Sequence, residues 1–446
     1  MGTTTSSTSS EPGTRTTYAV CGLSNRGVAS FLRPLLGSRG GSESSVGFGA
    51  NVEDYSGSAE LVAVLDADAA RIGEFRDTLL PAGYGPVAEY GADDVGRMLD
   101  ETRPDVLLVT GPDHTHAGHV LAALERGVDV IAEKPMTSTA HDAARVLAAE
   151  RASTARVRVT HNLRYTPRHR QIRRLIADGA IGRPTHVTLE YHVDTRHGAS
   201  YFLRWNRTRA ASGGLSIHKS CHHLDLINWL IGDLPASVVA HGAQNYFGPR
   251  SPHRPAPGDV DPYAAALSAS GALPGADGVR RGLFDLAYRE QYPQPMSLYD
   301  DEIDVEDTYL ALVRYGGGAA LAYSIDFSSP WEGYTLGISG THGRIEATYG
   351  RERDGQPREG SDHIVHYPLF GSRSRIDVAT GAGGHDGADA LMRADLFGTP
   401  SAESAELGLA ASTQQAAYAV AAGEAMWRSA STGAPVDVAA LLEGEA

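Results

Sequence analysis

The run Tyr18-Ala-Val-Cys-Gly-Leu-Ser-Asn-Arg-Gly27 decides the fold of this chain. Residues 18–22 read as a short apolar strand, and the turn from Gly22 to Gly27 leads into a helix expected over 27–36. A strand passing through a glycine-framed turn into a helix opens a βαβ unit, and the first third of the chain repeats that pattern. Strands are predicted at 18–22, 60–65, 105–110, 128–132 and 156–160, with helices at 27–36, 67–78, 92–101, 116–126 and 138–152. Such alternation builds a parallel sheet covered on both faces, so residues 18–163 are expected to form a doubly wound Rossmann domain.

Outward from this core the texture changes. Residues 1–17 are rich in Ser and Thr and read as a disordered tail, and the Gly- and Ser-rich stretch 38–58 reads as an insertion that cannot bury a core. Beyond residue 163 a helix at 167–179 is followed by strand-like segments at 185–194, 236–246, 307–315, 318–327, 334–339 and 343–348. Turns such as RYGGGAALAY join neighbouring strands closely, which predicts a second, α+β domain over 164–446 with a large, mainly antiparallel sheet. A Pro- and Gly-rich loop is expected at 248–282 and a closing helix near 405–428.

Composition narrows the function. With 446 residues and 41% hydrophobic content the chain can fill two cores. Its formal charge of -15 opposes a phosphate backbone or an anionic membrane face, so neither nucleic acid nor membrane is an expected partner. Two distant cysteines, Cys21 and Cys221, suit a reducing compartment, and a cytoplasmic location is expected.

The turn Gly22-Leu-Ser24-Asn25-Arg26-Gly27 stands where a dinucleotide's pyrophosphate needs bare backbone and a helix N-terminus. Ser24 replaces the middle glycine of the usual fingerprint, and a plain strand-to-helix turn is the competing reading. Asp66 closes the second predicted strand, where a carboxylate accepts hydrogen bonds from the adenosine ribose. It follows Gly27 by 39 positions, or 18 once the 21 residues of 38–58 are set aside, against roughly 20 in the usual spacing. An acid there repels a 2′-phosphate, which favours NAD over NADP; the other reading of Asp66 is a helix N-cap.

Several segments together resemble the glucose-fructose oxidoreductase, inositol dehydrogenase and MocA family, written Gfo/Idh/MocA. They are the phosphate turn, Pro112-Asp-His-Thr-His116, Glu133-Lys134-Pro135, NLRYTP at 162–167, GAIGRP at 179–184, the run from Gly213 to Asp225 with the pattern G-G-x-x-x-H-x-x-x-H-x-x-D, and SGTHGRIEA at 339–347. The resemblance implies a nicotinamide dehydrogenase in which Pro112, His116 and Glu133 lie on the cofactor side. It places Lys134 beside the nicotinamide and gives His222 the proton-transfer role. An imidazole suits that task, because its ordinary pKa near ~6.5 lets it take a hydroxyl proton at neutral pH. Many relatives carry an aspartate four residues before the histidine, whereas this chain has His218, so the naming of the base stays open: His222, His218 itself, or a part served by Asp225 or another carboxylate. His218, Cys221 and His222 also share a helix face, which leaves a metal site as the alternative; the expectation is no metal.

Arg164, Tyr165, Lys219 and His223 are candidate substrate contacts, with hinge packing the alternative for Arg164 and Tyr165, and a packed helix histidine the alternative for His223. Tyr201 and Arg204, in a predicted loop, and the pair Trp331 and Tyr334 are further candidates for contact with a sugar ring. The expected activity is oxidation of a secondary alcohol on a sugar, inositol or related cyclic diol, and the resemblance implies a homo-oligomer paired through the second sheet. Two other outcomes stay open: glycoside cleavage using recycled NAD, and a dinucleotide-binding sensor without catalysis.

Overall fold

The computed structural model describes residues 15–37, 53–256, 258–259, 296–352, 355–379 and 384–444. The predicted tail therefore lies outside it up to residue 14, as do most of the insertion and of the 248–282 loop. Thr16 and Thr17, read from composition as part of the tail, belong to β1 (Thr16–Cys21). Thr17 anchors there because its amide and hydroxyl both donate to Asp105, each at 2.8 Å.

Six parallel strands form the first sheet: β1, β2 (Ala59–Leu65), β3 (Ala88–Tyr90), β4 (Val106–Val109), β5 (Asp129–Ala132) and β6 (Val157–Val159). Their order is β3-β2-β1-β4-β5-β6, so the order in which strands are added switches sides between β1 and β4 and opens a crevice above their carboxyl ends. The three-residue β3 carries too little apolar pattern to be read from sequence. The first helix begins at Asn25 behind the Ser24 cap, widens to a π turn over Val28–Leu32 and resumes over Arg33–Leu36. Pro34 has no N–H for the regular ladder, which accounts for a register change at this point.

The second sheet has nine strands: β7 (Pro184–Asp194), β8 (Pro235–Ala243), β9 (Thr308–Tyr315), β10 (Ala320–Ser329), β11 (Glu332–Gly340), β12 (Gly343–Arg351), β13 (His363–Pro368), β14 (Ser374–Asp377) and β15 (Val436–Asp437). The order is β14-β13-β12-β11-β7-β10-β9-β8-β15, antiparallel throughout except where β10 runs parallel to β7. Strand β9 alternates buried and exposed residues and β10 buried and half-buried ones, as a sheet with one covered face requires. The covering layer holds the helix Ser220–Ile231 and the long helix Thr413–Thr432. What reads as one closing helix near 405–428 is two, Ala402–Leu407 and Thr413–Thr432, separated at Gly408 in the left-handed conformation.

The Thr413–Thr432 helix belongs to both domains. Its Ala416, Ala417 and Val420 join the Rossmann core with Val130, Ala132, Val157 and Val159, while Ala419, Ala421, Ala422 and Met426 pack into the other core. Glu424 accepts the Ala140 N–H at 2.6 Å, at the start of the Rossmann helix Ala140–Ala152. Alanine makes this possible, since small side chains let a helix be buried on several sides.

Candidate active site

The carboxyl ends of the first sheet gather the predicted cofactor residues. Gly22 has φ of +94°, and a Cβ there would meet the Gly111 backbone at 2.4 Å. Two glycines thus face each other across the β1/β4 switch point, leaving backbone open for close approach of an anion. At Gly27 a Cβ would strike Thr110 Oγ1 at 2.4 Å, and that hydroxyl donates to the Gly22 carbonyl at 2.5 Å. Ser24 substitutes for the missing glycine by another device: its Oγ accepts the Gly27 N–H at 3.0 Å and caps the helix that Asn25 begins.

Asp66 is buried at the end of β2. One oxygen accepts the Leu23 N–H at 2.7 Å and the other the Asp68 N–H at 2.9 Å, so the acid shapes the phosphate turn itself. Asp68, rather than Asp66, caps the next helix. Burial raises the Asp66 pKa, and hydrogen bonds from Asp68 and Leu23 oppose the shift. Both oxygens keep a further lone pair, so the residue retains the capacity to accept from a ribose hydroxyl.

Arg26 and Glu133 are tied to each other. Arg26 Nε donates to Glu133 at 3.0 Å, and its two terminal nitrogens grip Asp389 at 2.8 and 2.9 Å. Asp389 also accepts from Asn162 at 2.8 Å. These side chains latch the Ala388–Phe397 helix to the phosphate turn, so the expectation that they are spent on cofactor is revised to a bridging role. His116 is likewise engaged, with Nδ1 2.8 Å from the Pro135 carbonyl and Nε2 2.9 Å from the Gly111 carbonyl. It braces the cis Lys134-Pro135 peptide against the β4 turn rather than reaching outward. Pro112 supplies the carbonyl that accepts from Thr115 at the head of the Asp113–Glu125 helix.

The second domain delivers the imidazoles. Gly213 and Gly214, at φ of +72° and +91°, end one short helix and start the next; a Cβ on Gly213 would strike the Ser138 carbonyl at 2.3 Å. That close approach sets the segment Leu215–His218 against the Rossmann loop, and Lys134 Nζ donates to the His218 carbonyl at 3.0 Å. His218 Nδ1 lies 2.6 Å from the buried carboxylate of Asp113. His222, one turn further on, is half-buried and faces His161 edge-on at 6.2 Å, and its Nδ1 has no hydrogen-bond partner among the described residues. Burial and the charge of Lys134 hold both His218 and His222 well below the ordinary imidazole range.

Other candidates are redirected. Arg164 is fully buried, pairing with both oxygens of Asp225 at 2.8 and 2.5 Å and donating to Gln415 at 3.1 Å. Tyr165 is buried beside Asp395. Both are therefore architectural, because a substrate would have to break satisfied internal bonds to reach them. His223 is packed: its ring stacks on Tyr191 at 4.0 Å and Nδ1 meets the Tyr323 hydroxyl at 2.8 Å, while its buried Nε2 has no partner among the described residues. Lys219 is buried with its Nζ 5.4 Å from the Tyr191 ring. Tyr201 lies in the helix Thr195–Phe202, not a loop, and sits 5.6 Å from the His218 ring. Its hydroxyl meets His197 Nε2 at 2.9 Å, and His197 Nδ1 meets Glu332 at 2.8 Å. Tyr334 stacks on His169 in the core, while Trp331 lies under Arg358 at 3.6 Å and beside His192.

Among the described residues the one group with metal-ligand spacing is Asp194, His197 and Glu332, and the HKSCHH run does not gather three such atoms. Asp113 is the residue that sequence reasoning passed over. Its signal was present: an acid immediately after Pro112, at the carboxyl edge of the sheet where ligands collect.

Comparison with known proteins agrees with this architecture. Residues 17–161 match the family model described as oxidoreductase family, NAD-binding Rossmann fold, and residues 173–438 match its C-terminal alpha/beta domain. A putative oxidoreductase, YteT of Bacillus subtilis (strain 168), is 39% identical over 438 residues, covering 95% of this chain and 98% of its own. Inositol 2-dehydrogenase 1 of Saccharopolyspora erythraea is 30% identical over 41% of this chain and 50% of its own. In fold the chain is similar to a levoglucosan dehydrogenase solved with NADH and levoglucosan, at a TM-score of 0.64, 18% identity and coverage of 95% and 100% of the two chains. The protein is a member of the Gfo/Idh/MocA oxidoreductase family, built on an NAD-binding Rossmann domain and the family's C-terminal α/β domain.

Proposed function

We propose that this protein oxidises, reversibly, a secondary alcohol on a sugar, inositol or related cyclic polyol. The observation that carries the reading is the meeting of Lys134 with the His218 to His222 segment at the mouth of the β1/β4 crevice, where Nζ holds the His218 carbonyl at 3.0 Å. NAD bound there supplies the hydride acceptor. The chain's own work is to hold the nucleotide and manage the proton. Asp66 and the Gly22 to Gly27 turn hold the ribose and pyrophosphate, Lys134 steadies the alkoxide that develops as the hydroxyl proton leaves, and an imidazole receives that proton. Lys219 and Tyr201 line the substrate side. The names of the inositol and levoglucosan dehydrogenases support a ring polyol as the substrate class. Exposed Val239 and Leu312, paired across β8 and β9, and the neighbouring Leu310 support self-association through the outer face of the large sheet.

The test is NADH absorbance with purified protein, NAD and a panel of inositols, anhydrosugars, aldoses and cyclic diols. Reduction by at least one ring polyol is expected. No reduction anywhere, with glycosides cleaved only when NAD is present, overturns the net-oxidation reading. Lys134→Ala is expected to lower turnover by a factor of about 100 or more, in line with removal of one electrostatic stabiliser, while NAD affinity measured by fluorescence stays near wild type; an active variant removes the lysine from the chemistry.

A further inference from the structure

Two imidazoles reach the candidate site, and their surroundings differ. The buried Nδ1 of His222 has no hydrogen-bond partner among the described residues, so no carboxylate or carbonyl there fixes a hydrogen on it. His218 is held from several sides. Asp113, from the head of the Asp113–Glu125 helix of the first domain, meets Nδ1 at 2.6 Å across 105 positions of sequence. Asn206 Nδ2 lies 3.0 Å from Nε2 and 3.4 Å from Nδ1. A donor in line with one ring nitrogen would be far from the other, so this amide lies over the ring and leaves the in-plane lone pair of Nε2 available. The rings of Tyr201 and Trp205 stand edge-on at 5.6 and 5.4 Å.

We infer that Asp113 and His218 form a single proton-accepting pair divided between the two domains, in which Nε2 of His218 takes the substrate's hydroxyl proton and Asp113 is its positioning residue. The inference rests on the alcohol-oxidation reading for its substrate. In the step, the O–H bond breaks and an N–H bond forms at Nε2. The electron pair left on oxygen becomes the second bond of the carbonyl as hydride leaves the same carbon for oxidised NAD. Asp113 accepts the Nδ1 hydrogen throughout, which fixes the tautomer that exposes Nε2 and stabilises the imidazolium once formed. His222 then serves as a neutral neighbour of the reacting centre and not as the base. Since the carboxylate comes from one domain and the imidazole from the other, the base is complete only when the two are apposed.

Electrostatics agree with one shared proton. Burial pushes the Asp113 carboxyl up to about 7, and burial followed by Lys134, Lys219, His116 and His197 pushes His218 down. Each group alone resists its charge, and the hydrogen bond between them favours the arrangement in which Asp113 is ionised and the neutral ring carries its single hydrogen at Nδ1, the state in which Nε2 can accept a proton. The charged and titratable groups around His218 are Asp113 and His116 on the first-domain helix, Lys134 after β5, Lys219 on its own segment, and His197 and Tyr201 on the helix Thr195–Phe202.

Histidine 15N NMR of the full-length protein, with Asp113→Asn, His218→Gln and His222→Gln variants, tests the pair without a substrate. His218→Gln identifies the His218 ring signals by their loss. Asp113→Asn is expected to move the titration of that ring by a pH unit or more toward acid, with the His222 ring moving little. An unmoved His218 titration overturns the pair, whatever the enzyme does. With the ring polyol that reduces NAD in the panel above, Asp113→Asn should lower kcat about 10- to 100-fold and move the limb of the pH profile that reports the base, leaving KM within a few-fold. If His222→Gln moves that limb and Asp113→Asn does not, His222 is the base and the proposal fails. A shifted His218 titration without NAD reduction by any polyol keeps the pair and removes alcohol oxidation.

Discussion

Asp66 shapes the phosphate turn, and the proposed ribose contact would fall on the same carboxylate. Its carboxylate closes the Leu23 turn through one oxygen and reaches the start of the next helix through the other. Asp66→Ala removes a charged acceptor from a buried N–H, a loss of roughly 1.5–3 kcal/mol, and should weaken NAD by about 10- to 100-fold in a fluorescence titration. Unchanged affinity would remove the ribose assignment. The buried histidines act in the opposite sense, through stability. Burial lowers His161 and His169 from 6.5 to about 4. Between those values the unfolded chain binds more protons than the folded one, so stability rises with pH and is lost as pH falls from ~6.5 toward ~4. Urea unfolding at pH 7 and pH 5 should show a decrease on the order of a few kcal/mol; a flat profile would show that these rings are not neutral in the fold.

At the level of elements, the site is assembled by contacts that only glycine permits. The Thr413–Thr432 helix passes the Leu215–His218 segment so closely that a Cβ on Gly423 would meet the Ser216 carbonyl at 2.3 Å. Neither backbone can yield without shifting His218. Gly423→Ala is therefore expected to cost about 1–3 kcal/mol of stability and to depress turnover more than NAD affinity, measured by thermal unfolding and by kinetics on the same sample. A variant with wild-type turnover would show that this approach is not what positions His218. The Gly213-Gly214 turn plays the matching role on the Rossmann side, against Ser138.

Across the whole molecule, the two domains share side chains as well as a surface. Within the second domain, Arg164 and Asp225 form a buried pair joining the residues after β6 to the Ser220–Ile231 helix, and Gln415 extends it to the Thr413–Thr432 helix, which also packs into the first core. The Arg26, Glu133 and Asp389 latch adds a second tie at the phosphate turn. Removing one member of a buried pair strands the other charge, so Arg164→Ala should cost about 3–5 kcal/mol in urea unfolding followed by circular dichroism. A change under about 1 kcal/mol would mean that Asp225 finds water or another partner.

What the sequence by itself determined was everything carried by local pattern. The β-branched runs and their helical partners announced the doubly wound parallel sheet apart from β3, Asp66 and the Gly22 to Gly27 turn stood out as candidates at its ligand-binding edge, and Glu133-Lys134-Pro135 with the G-G-x-x-x-H run pointed to the family. These features are legible because strand and helix periods, turn glycines and motif spacing are properties of neighbouring residues. Tertiary structure decided which groups meet: that Asp113 stands behind His218, that Arg26 and Arg164 are consumed by internal acids, and that a helix from the far end of the chain completes the first core. Those partners lie 61 to 363 positions apart, and no local periodicity records which buried charge will find which counter-charge once two faces close on each other.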